Sequence, residues 1–277
     1  MLTRVDRPIM AVPDREVAAK NWIRLLGAEH SHDNRIDGLG ALRSSFRLGT
    51  GWVEFLEPDG PGPIADAVAR RGAHLYATGA TTDDVGALAG HLEHCQVEVL
   101  REHGQAWVGF GVNHAHGFVV ALSPDEPQAP IGLIDEFYEA TNLVHDHREA
   151  VALYTHIFGL DAEAFCPIDS EHYGYDGTLT LFHPDTLHRF EIITPADERQ
   201  TMGRFFAKTG PSLYMMFAET GRLEEITSLA RELDLPHTLE KGSAFLHPAA
   251  LGGMMLGLSR RSLGWLWSGH PERVEPA

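Results

Sequence analysis

The histidines of this chain are the first residues to invite chemistry. There are 17 in 277 residues, and two tracts, His114-Ala-His116 and His145-Asp-His147, carry the spacing of metal-binding runs. Imidazole is a frequent metal ligand, but most surface histidines bind nothing, so neither tract alone is read as a metal centre. Cys95 and Cys166 are far apart and in no metal-type spacing; neither a zinc knuckle nor a disulfide framework is expected. A formal charge of -17 with no basic cluster repels phosphate backbones, which argues against a nucleic-acid partner. No stretch is long and apolar enough to span a bilayer. The opening Met1-Leu-Thr-Arg-Val-Asp-Arg-Pro8 places charges where a signal peptide needs an apolar run. The expectation is a soluble cytoplasmic protein with a small-molecule partner.

Any such chemistry needs elements to hold it, and these occur in duplicate. Segment 12–27 (VPDREVAAKNWIRLLG) matches segment 144–159 (VHDHREAVALYTHIFG): Asp14 with Asp146, Ala18 with Ala150, Trp22 with Tyr154, Gly27 with Gly159, at a constant offset of 132 residues. Each reads as an Asp at a helix N-terminus, an amphipathic helix and a Gly at its end. The matches continue. Segment 51–58 (GWVEFLEP) aligns with 188–195 (HRFEIITP), 72–77 with 210–215, and 116–123 with 252–259. The Pro-rich stretch Ser123–Pro130 suits an exposed connection, giving two expected domains, 1–124 and 131–277. Each half divides again. Strands at His74–Ala80 and Ser212–Phe217 are followed by helices carrying Val85, Leu88 and Leu92, or Leu223, Ile226, Leu229 and Leu233, and then by short strands. The order is strand, helix, several strands, four times over.

With Val-Pro-Asp before a helix ending in Leu-Leu-Gly, this order resembles the vicinal oxygen chelate superfamily, over residues 4–260. The resemblance implies an α+β fold of four βαβββ modules pairing into two cupped mixed β-sheets. In that superfamily a cup usually holds a divalent metal that binds vicinal oxygens of the substrate. Its first-strand ligand position falls here on Arg7 and Glu139, with partners at Ala77 and Met215. Its late-strand position falls on Glu54 and Glu191, with partners at Ala121 and Gly257. A guanidinium offers no lone pair to a cation, Ala and Gly offer no ligand atom, and Met is a poor ligand for Fe, Mn, Mg or Zn. No cofactor is therefore expected. A divalent Fe, Mn or Zn ion on Glu139 and Glu191, helped by a loop histidine, is the alternative.

Read as side chains, the first cup offers Arg7 and Glu54 as a buried ion pair, a structural plug replacing a metal site. In the second, strand alternation sets Glu139, Thr141 and Leu143 on one face, with Arg189, Glu191 and Ile193, Leu213 with Met215, and Met255 with Gly257. Two nearby carboxylates repel, so one pKa is expected to rise while Arg189 holds the other ionised. Catalytic Glu139 and Glu191 with substrate-binding Arg189, Met215 and Met255 would suit proton transfer of an isomerase or lyase type beside a carbonyl. The alternatives are a buried Arg189–Glu191 pair, or a non-catalytic cup that sequesters its ligand. His172 and Tyr173, with Tyr175, sit in a loop placed to rim that cup. Trp265-Leu-Trp267 either caps it or makes a homodimer contact.

Overall fold

The computed structural model describes residues 1–109, 115–126 and 128–276; His114 of the first histidine tract lies outside them. Each module is a strand, a helix and three strands. The first comprises β1 (Leu2–Ala11), α1 (Arg15–Leu26), β2 (Glu29–Ile36), β3 (Ala41–Leu48) and β4 (Gly51–Pro58). Helix α2 (Pro63–Arg71) leads to the second: β5 (His74–Thr82), α3 (Val85–His94), β6 (Val99–Glu102), β7 (Gln105–Val108) and β8 (Val120–Pro124). The third holds β9 (Glu136–Leu143), α4 (His147–Phe158), β10 (Cys166–Ser170), β11 (Tyr175–Leu181) and β12 (Arg189–Pro195). After α5 (Thr201–Thr209) comes the fourth: β13 (Ser212–Glu219), α6 (Leu223–Glu232), β14 (His237–Glu240), β15 (Ser243–Leu246) and β16 (Met255–Ser259). A short α7 (Gly264–Trp267) follows. Helices α2 and α5 join the modules of each half and were not anticipated from the sequence.

Local chemistry explains the repeated start of each half. Asp14 and Asp146 cap α1 and α4 by accepting backbone N–H bonds, Asp14 from Val17 and Asp146 from Arg148. Gly27 and Gly159 end the two helices at φ 74° and 65°, the left-handed region where a Cβ would be strained.

Two eight-stranded mixed sheets result, ordered β2-β3-β4-β1-β5-β8-β7-β6 and β10-β11-β12-β9-β13-β16-β15-β14. The order is the same in both, and so is the register. Ile9 stands beside Glu54 and Ala77 in the first sheet, and Thr141 beside Glu191 and Met215 in the second. Gly79 pairs with Ala121 as Phe217 pairs with Gly257. The equivalences read from sequence thus occupy matching strand positions. One apolar core serves both halves, with Trp22, Leu92, Phe118, Tyr154, Phe190 and Ile226 among its buried residues. Trp22 Nε1 donates to Leu251 O at 3.0 Å across the two halves, and Phe118 packs edge-on against Phe190 at 4.6 Å. None of the described helices is long and apolar enough to cross a membrane.

Candidate functional site

In the first cup, β1 presents Arg7 and β4 presents Glu54. Arg7 Nη1 donates to Glu54 Oε1 at 2.8 Å, Nη2 donates to Asp6 Oδ2 at 2.6 Å, and Nη2 also reaches Ser123 Oγ at 3.0 Å. Strand β3 adds Arg43, whose Nη1 lies 3.3 Å from Glu54 Oε2 and 2.6 Å from Gln105 Oε1. Arg43 and Gln105 carry no repeat signal, and sequence reasoning missed both. Burial would raise the Glu54 carboxyl, but the two guanidinium groups outweigh it and hold it below the usual range. The inner part of this cup is apolar, with Ile9, Leu56, Ala77, Trp107 and Ala121 packed under α2. The outer part is a cavity of about 280 Å³.

The second cup is built differently. Arg189, fully buried, donates from Nε to Glu139 Oε2 at 2.6 Å and sets Nη2 the same distance from that oxygen. Its Nη1 donates to Ser268 Oγ at 2.7 Å and to Gly264 O at 3.3 Å. The C-terminal segment thus folds over the guanidinium, and the Arg189 partner is Glu139 rather than Glu191. Arg189 has no surface to offer a ligand, so its expected substrate contact is replaced by a pairing and anchoring position. Trp267 covers Phe217 at 5.5 Å between ring centroids, whereas Trp265 stacks under Arg273.

Glu191 has different company. Its one hydrogen bond among the described residues comes from Thr141 Oγ1, at 2.5 Å. Burial, and then the nearby Glu139 charge, push its carboxyl up to about 8. The walls beside it are aromatic. Tyr175 and Tyr214 are partly exposed, and Met215, Phe217 and Met255 pack further round. Burial, and then the Glu191 charge, raises the Tyr175 and Tyr214 phenols and keeps them protonated. Neither phenol has a hydrogen-bond partner among the described residues.

Several expected residues sit elsewhere. Tyr173 OH is committed to Glu240 at 2.5 Å, and His172 is exposed and touches Tyr173 edge-on. A bulge between Leu213 and Met215 breaks the alternation. Leu213 therefore joins the shared core, and Tyr214 turns toward the cup in its place. Nor does Gly257 leave open room, because a Cβ there would meet the Phe217 ring at 2.4 Å. His145 packs on Phe206, and the His147 N–H donates to Thr194 Oγ1; the tract makes no common centre.

The donors of neither cup fit the divalent metal that the resemblance implies. Both oxygens of Glu54 are taken by guanidinium groups, Glu139 is tied to Arg189, and only Glu191 remains. Among the described residues no three His, Cys, Asp or Glu side chains form a cation cluster.

No protein-family model matches the sequence, and no curated protein matches it. Solved structures do. A triple mutant of 4-hydroxymandelate synthase from Streptomyces coelicolor is similar over 95% of this chain and 93% of that chain, with a TM-score of 0.67 and 13% identity. The Mn(II)-bound glyoxalase from Novosphingobium aromaticivorans is similar over 94% and 82%, at 0.62 and 13%. A xylose isomerase-like TIM barrel/4-hydroxyphenylpyruvate dioxygenase fusion protein is similar over 95% of this chain and 49% of that chain, at 0.62 and 11%. Identities this low carry the fold and no residue roles. On the repeated modules, the shared register and these likenesses, the chain has the fold of the vicinal oxygen chelate superfamily.

Proposed function

We propose that the second cup acts on a small, largely apolar molecule bearing a carbonyl or phenolic oxygen, and that Glu191 moves a proton on and off a carbon beside that oxygen. The observation that carries this is a buried carboxyl whose one hydrogen-bond partner among the described residues is a hydroxyl, with Tyr175 and Tyr214 beside it. A carboxyl with a pKa of about 8 is a far stronger base, once ionised, than an ordinary glutamate, and stays within reach of neutral pH. Ionised Glu191 takes the proton. The C–H electron pair moves into a C=C bond as the carbonyl becomes an enolate, and the carboxyl then returns the proton to carbon or oxygen. Tyr175, with its free phenol, supplies the hydrogen bond to the developing oxyanion, the task Arg189 is too buried to perform. Glu139 and Arg189 hold one another and keep the negative charge that raises Glu191. The similar structures named above include enzymes, which favours catalysis on this fold.

The test uses phenylacetone as a carbonyl probe in D2O, with deuterium entry read by NMR. Wild type should accelerate exchange, with a rate that climbs with pH and levels above about 8, because the ionised form is the base. Glu191→Gln should lower the enzymatic rate by about 100-fold or more, and Tyr175→Phe by about 100-fold. Equal exchange in wild type and Glu191→Gln would exclude catalysis by this carboxyl. Trp267 folded over the cup favours a second reading, a protein that holds its ligand without turnover; that reading gives phenylacetone binding with no exchange at all.

A further inference from the structure

The cavity of the first cup lies apart from Glu191 and takes no part in the reaction just described. Its polar floor is a network in which nearly every donor has a partner. Arg7 is spent on Asp6, Glu54 and Ser123. Arg4, at the rim, is paired with Asp125 at 2.6 Å. Arg43 is the exception. Its Nε donates to Asn34 Oδ1 at 2.9 Å and its Nη1 to Gln105 and Glu54, but Nη2 donates to nothing among the described residues. The residue is 3% exposed, and the little surface it keeps is on the cavity it lines. The nearest carboxylate is a long contact, and that carboxylate is shared with Arg7. Arg43 is a cation with an incomplete counter-charge and a free N–H edge, and it lines a cavity of about 280 Å³.

The rest of the lining sets the shape of what completes it. Trp52, partly exposed on β4, and His32 meet edge to face at 5.9 Å and put aromatic rings on one wall. Thr50, Thr81 and Gln105 add small polar groups. A guanidinium edge recognises a carboxylate through its paired donors, and an aromatic wall takes a ring. The volume is below the usual range for drug-sized ligands.

We infer that the first cup is a second ligand site, taking a small planar carboxylate whose anionic end lies on Arg43 Nη2 and whose ring lies against Trp52. It binds without a metal, because both Glu54 oxygens are already occupied.

The experiment is calorimetric titration of the full chain with benzoate, and with benzamide as its neutral isostere. Benzoate should bind saturably at one site per chain, with benzamide at least tenfold weaker. Glu191→Gln should leave benzoate binding unchanged, since it lies in the other cup. Arg43→Gln should weaken binding tenfold or more. Because Arg43 is buried, that variant is accompanied by Trp52→Ala at the rim, which should weaken benzoate several-fold and leave circular dichroism unaltered. Absence of saturable benzoate binding would overturn the inference. So would equal affinity for benzamide, or binding that is lost in Glu191→Gln and kept in Trp52→Ala.

Discussion

Glu139 and Glu191 share a cup and differ in what answers their charge. Arg189 satisfies Glu139, and Glu191 is left with a hydroxyl. Removing the cation should therefore be harsher than removing the lone acid. Arg189→Met strands a buried carboxylate and should cost about 3–5 kcal/mol in urea denaturation; a loss below about 1 kcal/mol would show that the pair is not held as described. Glu191→Gln should act in the opposite sense at high pH. Its folded pKa, about 8, lies above the ordinary value of 4.5, so the native state holds a proton that the unfolded chain releases. Wild-type stability should then fall as pH rises from about 4.5 to 8. Glu191→Gln should match wild type within about 1 kcal/mol near pH 5 and exceed it above pH 8 by on the order of 5 kcal/mol. Glu219, pushed up to about 7 mainly by burial, adds a slope of its own, but it is common to both proteins and cancels in the difference. Strand alternation alone sets both glutamates and Arg189 on one face. It could not say which carboxylate the guanidinium meets, because alternation sets a side and not a distance, and Arg is long enough to reach either.

At the scale of elements, the helix starts and stops were legible because they rest on local chemistry: an Asp that accepts backbone N–H bonds and a Gly that turns left-handed. Asp146→Ala should lower stability by about 1 kcal/mol, seen as a reduced urea midpoint with unchanged slope; no change in midpoint would mean the cap contributes nothing. The bulge before Met215 was not legible. Nothing in Ser212-Leu-Tyr-Met215 marks an extra residue, and the shift exchanges Leu213 for Tyr214 at the cup wall. Helices α2 and α5 also went unread, since each is a short connection between modules rather than part of the repeated unit. The linker helix α2 nonetheless decides the first cup, because it covers the apolar part and leaves the polar part open.

Across the whole molecule, one core joins the two halves, and they should unfold together. Trp22→Ala removes a buried ring and its bond to Leu251, and should cost about 3–5 kcal/mol in a single transition; two separated transitions in the parent protein would contradict a shared core. The sheets repeat one topology, yet their cups differ, one a polar cavity over two arginines and the other an aromatic cup over two glutamates, of which Arg189 pairs with one. The repeated topology could be read from spacing alone. The difference between the cups could not, because it depends on Arg43 and Tyr175, whose register equivalents in the other half are Gly177 and Ala41. The division of labour rests on Glu191 holding its proton at neutral pH, and that can be measured without knowing a substrate. Carboxyl carbons of 13C-labelled glutamate should be followed by NMR from pH 4 to 10 in wild type and Glu191→Gln. One resonance should titrate near pH 8 in wild type and be missing from the variant. If every glutamate that Glu191→Gln removes or shifts titrates in the ordinary range near 4.5, the second cup has no such acid and the account fails.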